Sequence, residues 1–363
     1  MNTNKTDLGW NAFFEAHLAA LEQPTWVAAR VIRQDKHGLT LQNDSGLLTG
    51  KVAGRLRKPG QHKADLPVVG DWVAGEMLNN EAKLSIQAVL PRKSKFSRKV
   101  PGKETREQVV AANMDILFLV SGLDHDFNPR RIERYVTLGW DSGAQPVILL
   151  NKSDLCEDTE TALDQAREAA IGVDVHLLSA AMDQGLAVIR QYIKPGVTIA
   201  FLGSSGVGKS TIINALHGEE IMKTGEVREN DSRGRHTTTH RELILFPEGG
   251  LLIDTPGMRE VQLWADEESL DEAFADIAQL ALACKFSDCA HETEPGCAVK
   301  AAIEAGDLSA KRYKSYLKLK RELDFIRMRS ESRIFEERQK QKEFGKMIKT
   351  VMAQNYKKKN RDT

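Results

Sequence analysis

Gly203-Ser204-Ser205-Gly206-Val207-Gly208-Lys209-Ser210 has the residue types and spacing to hold a phosphate chain. It follows an apolar run, Val197 to Leu202, that reads as a buried strand, and it leads into Thr211 to Leu216, which reads as a helix. In that setting Gly-x-x-x-x-Gly-Lys-Ser is a phosphate loop. Its glycines let successive backbone N–H groups turn inward, and the helix N-terminus adds partial positive charge. Lys209 would reach the β- and γ-phosphates, and the Ser210 hydroxyl would ligate Mg²⁺.

Two further turns specify which nucleotide. Asn151-Lys152-Ser153-Asp154 closes the apolar strand Pro146 to Leu150. A carboxylate at Asp154 can accept from guanine N1–H and N2–H together, whereas adenine offers it nothing. A buried site built on such a bond rejects the wrong base by about 10⁴–10⁵. Asn151 would brace the loop, and the Lys152 stem would lie over the base. Ser179-Ala180 ends another strand, where the Ala180 N–H can meet guanine O6. Asp254-Thr255-Pro256-Gly257 ends a third, with Asp254 placed to hold Mg²⁺ through water and the Gly257 N–H to meet the γ-phosphate.

The segment Arg233-Gly234-Arg235-His236-Thr237-Thr238-Thr239-His240 stands where a switch loop belongs, and Thr238 or Thr239 would complete the Mg²⁺ shell. Met258 occupies the place where many GTPases carry a water-orienting glutamine. A thioether cannot orient water, so slow intrinsic hydrolysis is expected, completed by a stimulating partner. His236 is either the residue that positions the water or an ordinary surface histidine.

The elements needed to carry these loops alternate β and α from about Val109 to Gly257, which implies a parallel sheet with its ligand loops at the carboxyl ends of the strands. The base motif precedes the phosphate loop, so the domain reads as circularly permuted. Loop positions depend on strand order in space, so chain order can change without moving them. In this order the γ-phosphate sensor runs straight into the next domain, and the 258–270 connector is expected to transmit hydrolysis. Before this domain, about five short β-like runs between Thr25 and Arg98 suggest a small barrel, OB or SH3-like. Trp26 and Trp72 read as barrel core rather than base-stacking platforms. Arg92 to Lys99, basic with Phe96 among the charges, is a candidate RNA contact or else a solvated linker. Residues 1–23 read as an amphipathic helix packed on its own domain.

At 363 residues, 41% hydrophobic and 28% charged, two or three globular domains are expected. Neither a signal-peptide pattern nor a membrane-length apolar run occurs in the sequence, so a cytoplasmic protein is expected. Of four cysteines, three join a histidine in Cys284, Cys289, His291 and Cys297, a C-x₄-C-x-H-x₅-C pattern suited to one closed, tetrahedral structural zinc. Cys156 reads as a small buried residue. Residues 311–363 hold 18 Lys and Arg against 7 Asp and Glu, so the zero net charge divides into a +11 tail and a −11 body. Such a tail suits a polyanion such as RNA.

Together, NKSD before GSSGVGKS before DTPG, the GRHTTT segment, the barrel and the Cys/His pattern resemble the bacterial RsgA (YjeQ/YloQ) family of small ribosomal subunit biogenesis GTPases. The likeness spans roughly residues 25–325. It implies an N-terminal OB-fold barrel, a circularly permuted P-loop GTPase domain and a C-terminal α-helical zinc-binding domain. The boundaries expected are 1–23 for an extension, 24–100 for the barrel, 104–260 for the G domain, 261–325 for the zinc domain and 326–363 for a basic helical tail. It further implies a monomer that binds the 30S subunit and 16S rRNA late in maturation, is stimulated by the subunit, and releases assembly factors on hydrolysis. Matching positions carry guanine at Asn151 to Asp154, phosphates and Mg²⁺ at Gly203 to Thr211, and zinc at the four cysteine and histidine positions. A GTP-dependent switch for a non-ribosomal protein or metal-trafficking partner is the alternative.

Overall fold

The structure, a computed structural model, describes residues 3–35, 38–57, 63–78, 82–99, 107–125, 127–223, 241–254, 267–325 and 328. The helical stretch at the N-terminus is shorter than its apolar spacing predicts. It covers Ala12–Ala19 (α1), capped by Asn11, whose side chain accepts from Phe13 N. Trp10 and Phe14 lie against Trp72, with ring centroids 4.6 and 5.9 Å away, so this segment closes over the barrel.

The barrel strands are β1 (Val27–Gln34), β2 (Leu39–Asn43), β3 (Gly46–Val52), β4 (Trp72–Met77) and β5 (Lys83–Val89). They run in the order β1-β2-β3-β5-β4 and close through a β1–β4 pairing, with β3 parallel to β5. That closed five-strand order is the OB arrangement. Closure needs a sharp bend, and β4 makes it at a bulge between Ala74 and Gly75. A Cβ on Gly75 would stand 1.9 Å from the Ser85 carbonyl oxygen, so only glycine fits. Trp72 is fully buried, as expected. Trp26 is partly buried and packs against the margin of the core, its indole N–H on Glu76 and its ring under the Arg55 guanidinium.

Arg92 to Lys99 is neither linker nor free basic strip. Residues Lys95–Lys99 form β6, paired antiparallel with β7 (Glu107–Ala112). Arg92 forks onto the buried Asp71 carboxylate at 2.8 Å through both Nε and Nη2, and Lys95 Nζ lies 2.7 Å from Glu107. Phe96 is buried. Arg92 and Lys95 thus face the protein's own acids, Arg98 donates to Gln108, and alternation hides Phe96 inside.

The G-domain strands are β8 (Ile116–Gly122), β9 (Gln145–Asn151), β10 (Asp174–Leu177), β11 (Thr198–Leu202), β12 (Arg241–Leu245) and β13 (Leu251–Asp254). The helices between them are α2 (Pro129–Asp141), α3 (Thr159–Ala169), α4 (Leu186–Arg190) and α5 (Lys209–His217). In space the strands run β10-β9-β8-β11-β13, all parallel, with β12 antiparallel at the edge. Strand alternation divides the core. Leu117, Leu119, Ile148, Leu150 and Ala200 share a cluster with Ile132, Val136 and Ala166 of α2 and α3. Phe118, Val120, Leu149, Ile199 and Phe201 share another with Ile189, Ile212 and Leu216 of α4 and α5. A strand buried on both faces must be apolar throughout, which is why β8 and β11 read as unbroken hydrophobic runs.

Nothing in the sequence pattern anticipates the join between barrel and G domain. The end of β1 pairs with β12, Arg33 opposite Glu242 and Gln34 opposite Arg241, so one sheet runs through both. At the same junction the buried Arg30 guanidinium donates to the carbonyls of Leu8, Gly70 and Asn113. Burial lowers its pKa to about 10.

The C-terminal module is helical: α6 (Glu267–Ala273), α7 (Ala275–Leu282), α8 (Ala298–Ala305) and a helix over 310–325. Among the described residues no helix is long and apolar enough to cross a membrane.

Candidate nucleotide-binding edge and metal centre

The phosphate loop connects β11 to α5, and its shape is set by what its glycines exclude. Gly203 is buried, and a Cβ there would meet the Val120 carbonyl oxygen at 2.4 Å. Gly208 has φ +94°, and a Cβ would stand 2.2 Å from Asn151 Nδ2. The first amide of α5 to find a helical carbonyl is Ile212 N, on Gly208 O at 2.9 Å. The amides of Ser210 and Thr211 before it lie in the first turn of the helix, ahead of that first helical bond, and face the helix start. Lys209 Nζ donates to Gly203 O and Ser204 O at 2.6 and 2.5 Å, folding the lysine over the loop where phosphates would lie.

Asn151, 3% exposed at the end of β9, ties three loops together. Its Nδ2 donates to Val207 O (2.8 Å) in the phosphate loop, and its Oδ1 accepts from Ala180 N (3.0 Å). The brace expected of Asn151 is therefore a crosslink reaching well beyond its own turn. The Ala180 amide assigned to guanine O6 is the one that Asn151 engages, so a bound base would share it. Lys152 is left-handed (φ 64°), and its Nζ donates to Asp124 Oδ2 at 2.5 Å. Asp154 sits exposed in a 3-10 turn over Ser153–Leu155, and Ser179 is buried.

Asp254 is half-buried at the end of β13. The phosphate loop, Asn151 to Asp154, Ser179-Ala180 and Asp254 thus follow β11, β9, β10 and β13, four parallel strands whose carboxyl ends share one edge. His236, Thr238, Gly257 and Met258 lie outside the described residues.

Three residues near this edge have no motif to announce them. Asp124, just past β8, holds Lys152. Arg131 Nη1 donates to Ser204 Oγ (2.9 Å), and Tyr135 Oη lies 3.2 Å from the same oxygen. All three come from the turn after β8 and from α2, whose sequence shows only a strand end and a helix.

Between α7 and α8, Cys284, Cys289, His291 and Cys297 bring their ligand atoms within 4.8 Å of one another, an arrangement that could hold a metal ion. Cys284 Sγ and Cys297 Sγ are 3.9 Å apart, and His291 Nδ1 lies 3.5 and 3.4 Å from them. Burial alone would raise the Cys284 thiol, but the Ala298 and Val299 amides at the start of α8 help hold it below its ordinary value. Burial lowers the His291 pKa and favours the neutral ring that binds metals.

A parallel sheet with a phosphate loop on its central strand, preceded in the chain by an Asn-Lys-x-Asp turn and joined to an OB barrel, defines a circularly permuted P-loop GTPase. A family profile described as RsgA GTPase matches residues 89–264. The small ribosomal subunit biogenesis GTPase RsgA of Opitutus terrae is 46% identical over 326 residues, covering 87% of this chain and 89% of its own. RsgA 2 of Vibrio parahaemolyticus is 42% identical over 346 residues, covering 95% and 92%. Among solved structures, YjeQ from Thermotoga maritima superposes with TM-score 0.62 at 26% identity, covering 82% of this chain and 98% of that one. YloQ, described as a circularly permuted GTPase, gives 0.60 at 27%, covering 82% and 95%. The chain belongs to the RsgA family of small ribosomal subunit biogenesis GTPases, and it is a hydrolase acting on GTP.

Proposed function

We propose that this GTPase binds the small ribosomal subunit during late maturation and hydrolyses GTP to GDP under its stimulation, working as a monomer in the cytoplasm. The names of its relatives support the subunit as partner, and they do not favour the non-ribosomal switch. Its barrel and basic tail would meet 16S rRNA, with hydrolysis timing release of the protein and of other assembly factors.

The observation that carries the chemistry is the Asn151 crosslink, because it fixes base loop and phosphate loop in one register before nucleotide arrives. In this reading Asp154 accepts from guanine, Lys152 covers the base, and Ser179-Ala180 flank O6. The backbone from Gly203 to Thr211 cradles the phosphates. Lys209 exchanges its two loop carbonyls for phosphate oxygens as GTP enters. Ser210, Asp254 and Thr238 offer hard oxygen donors suited to Mg²⁺, which when bound neutralises charge on the β- and γ-oxygens. Gly257 would contact the γ-phosphate, and His236 would position the water.

We assign zinc to the Cys/His cluster. Tetrahedral zinc, with Zn–S about 2.3 Å and Zn–N about 2.0 Å, spaces its sulfurs about 3.8 Å apart and sulfur from nitrogen about 3.5 Å. The separations of 3.9, 3.5 and 3.4 Å among Cys284, His291 and Cys297 match these values, and Cys289 lies within 4.8 Å of each. Four protein ligands leave no open position, so the ion is structural.

Turnover of GTP and ATP, with and without purified small subunits over a salt series, tests the proposal. The expected result is slow GTP-specific hydrolysis, raised by subunits and less so as salt increases. Equal rates with and without subunits would overturn it.

A further inference from the structure

The helix α2 stands between two sites that no sequence motif connects. Residues 131 and 135, one turn apart, meet the phosphate loop: Arg131 and Tyr135 both contact the Ser204 hydroxyl, at 2.9 and 3.2 Å. About 100° per residue around the same helix lie positions 130, 133 and 134, which face the C-terminal module. Arg134 forks onto Glu322 with bonds of 2.9 and 2.6 Å. Glu133 is buried beside Arg130, 3.6 Å from Arg312, and is engaged by the Ser315 hydroxyl of the 310–325 helix. Arg312 is itself held by Asp276 (2.8 Å through both Nε and Nη2) and by the carbonyls of Ala169 and Ala273.

We propose that α2 couples the C-terminal module to the phosphate loop, with Arg131 and Tyr135 as positioning residues for Ser204 and the Arg134–Glu322 and Glu133–Arg312 pairs as the joint to the 310–325 helix. The proposal rests on the phosphate-loop assignment made above. Its physical basis is a three-turn helix tied by hydrogen bonds to Ser204 at one contact and by ion pairs at the other. A shift of α2 that seats Ser204 against bound phosphates must re-seat Arg134 and Glu133 against their partners, because the helix moves as one body. A buried carboxylate held by two arginines and the Ser315 hydroxyl makes that joint sensitive to small displacements, since losing one partner leaves a desolvated charge under-compensated. The coupling is reciprocal: whatever moves the 310–325 helix, such as docking of the metal module on a large partner, alters nucleotide affinity. This route is separate from the 258–270 connector, of which residues 258–266 lie outside the described residues.

Binding of a fluorescent non-hydrolysable GTP analogue to the full chain tests it, using Tyr135→Phe, Glu322→Gln, the double variant and the charge exchange Arg134→Glu with Glu322→Arg. Each single change is expected to shift affinity by about fivefold, and the double by no more than the larger single, because both cut one linkage. The charge exchange should return affinity to the wild-type value. Saturating nucleotide should change amide exchange over 310–325 in the wild type and not in Tyr135→Phe. Multiplicative effects in the double variant, or exchange over 310–325 indifferent to nucleotide in the wild type, would overturn the proposal. Lys209→Ala separates the two readings. If it binds normally, the phosphate-loop assignment fails; if it loses binding while Glu322→Gln binds as wild type, the coupling alone fails.

Discussion

The nucleotide edge and the Cys/His cluster both gather ligands for a charged guest, by opposite means. The edge draws its groups from four loops spread between Asn151 and Asp254, each anchored at the end of a buried parallel strand. Much of its binding surface is backbone, held by glycines and by the Asn151 crosslink. The cluster draws four side chains from the 14 positions 284–297, three of them only half-buried, between two helices of eight residues each. The first site is shaped by a buried sheet, and the second by short turns pinned by the Glu294 carboxylate, which accepts from the Ala290, Glu292 and Thr293 amides, turns that a bound metal would crosslink. Preorganisation resides in the sheet in one case and in local turns that a metal would lock in the other.

Substitutions ranked by their effect on nucleotide chemistry sharpen this contrast. Lys209→Ala removes the only side-chain charge of the phosphate loop and should lower kcat/KM for GTP by about 10²–10³, read by steady-state hydrolysis. An unchanged rate would mean that the edge is not the catalytic site. Asn151→Ala leaves Val207 O and Ala180 N without their partner at about 1–3 kcal/mol each, so GTP and GDP affinity should both fall by roughly 10–100-fold in calorimetry. If only guanine discrimination fell, Asn151 would belong to the base and not to the frame. Gly208→Ala forces a side chain into a left-handed position beside Asn151 and should weaken binding by about tenfold, from strain of roughly 1–2 kcal/mol. Removal of the metal with a chelator, followed by resupply of Mg²⁺, should come last. Basal hydrolysis should fall by no more than about fivefold, the size expected of a severed α2 joint, while amide protection over 284–297 collapses. Retained protection would erase the contrast between the two sites.

What the sequence disclosed follows from how local each feature is. Gly203 to Ser210, Asn151 to Asp154 and the Cys/His cluster are legible because their chemistry needs fixed spacing within a few residues. The two-faced core of β8 and β11 is legible because burial on both sides demands unbroken apolar runs. The pairing of Arg92 and Lys95 was not legible because charge counts as exposed until its partner is known, and Asp71 and Glu107 lie 21 and 12 residues from them. Trp26 packs at the margin of the core, and the Glu76 and Arg55 contacts that hold it there leave no sequence signal. The β1–β12 pairing and the α2 contacts were invisible for the same reason. Each joins residues 69 to more than 200 positions apart, through pairings that leave no periodic trace.

That β1–β12 pairing has a mechanical consequence. Arg241, where β12 begins, immediately follows the threonine-rich stretch 233–240, and it bonds sideways to Gln34 at the end of the barrel's first strand. Tension applied to the barrel is therefore borne by the residue next to that stretch, without crossing any flexible tether. A partner that grips the barrel holds one end of the stretch as well.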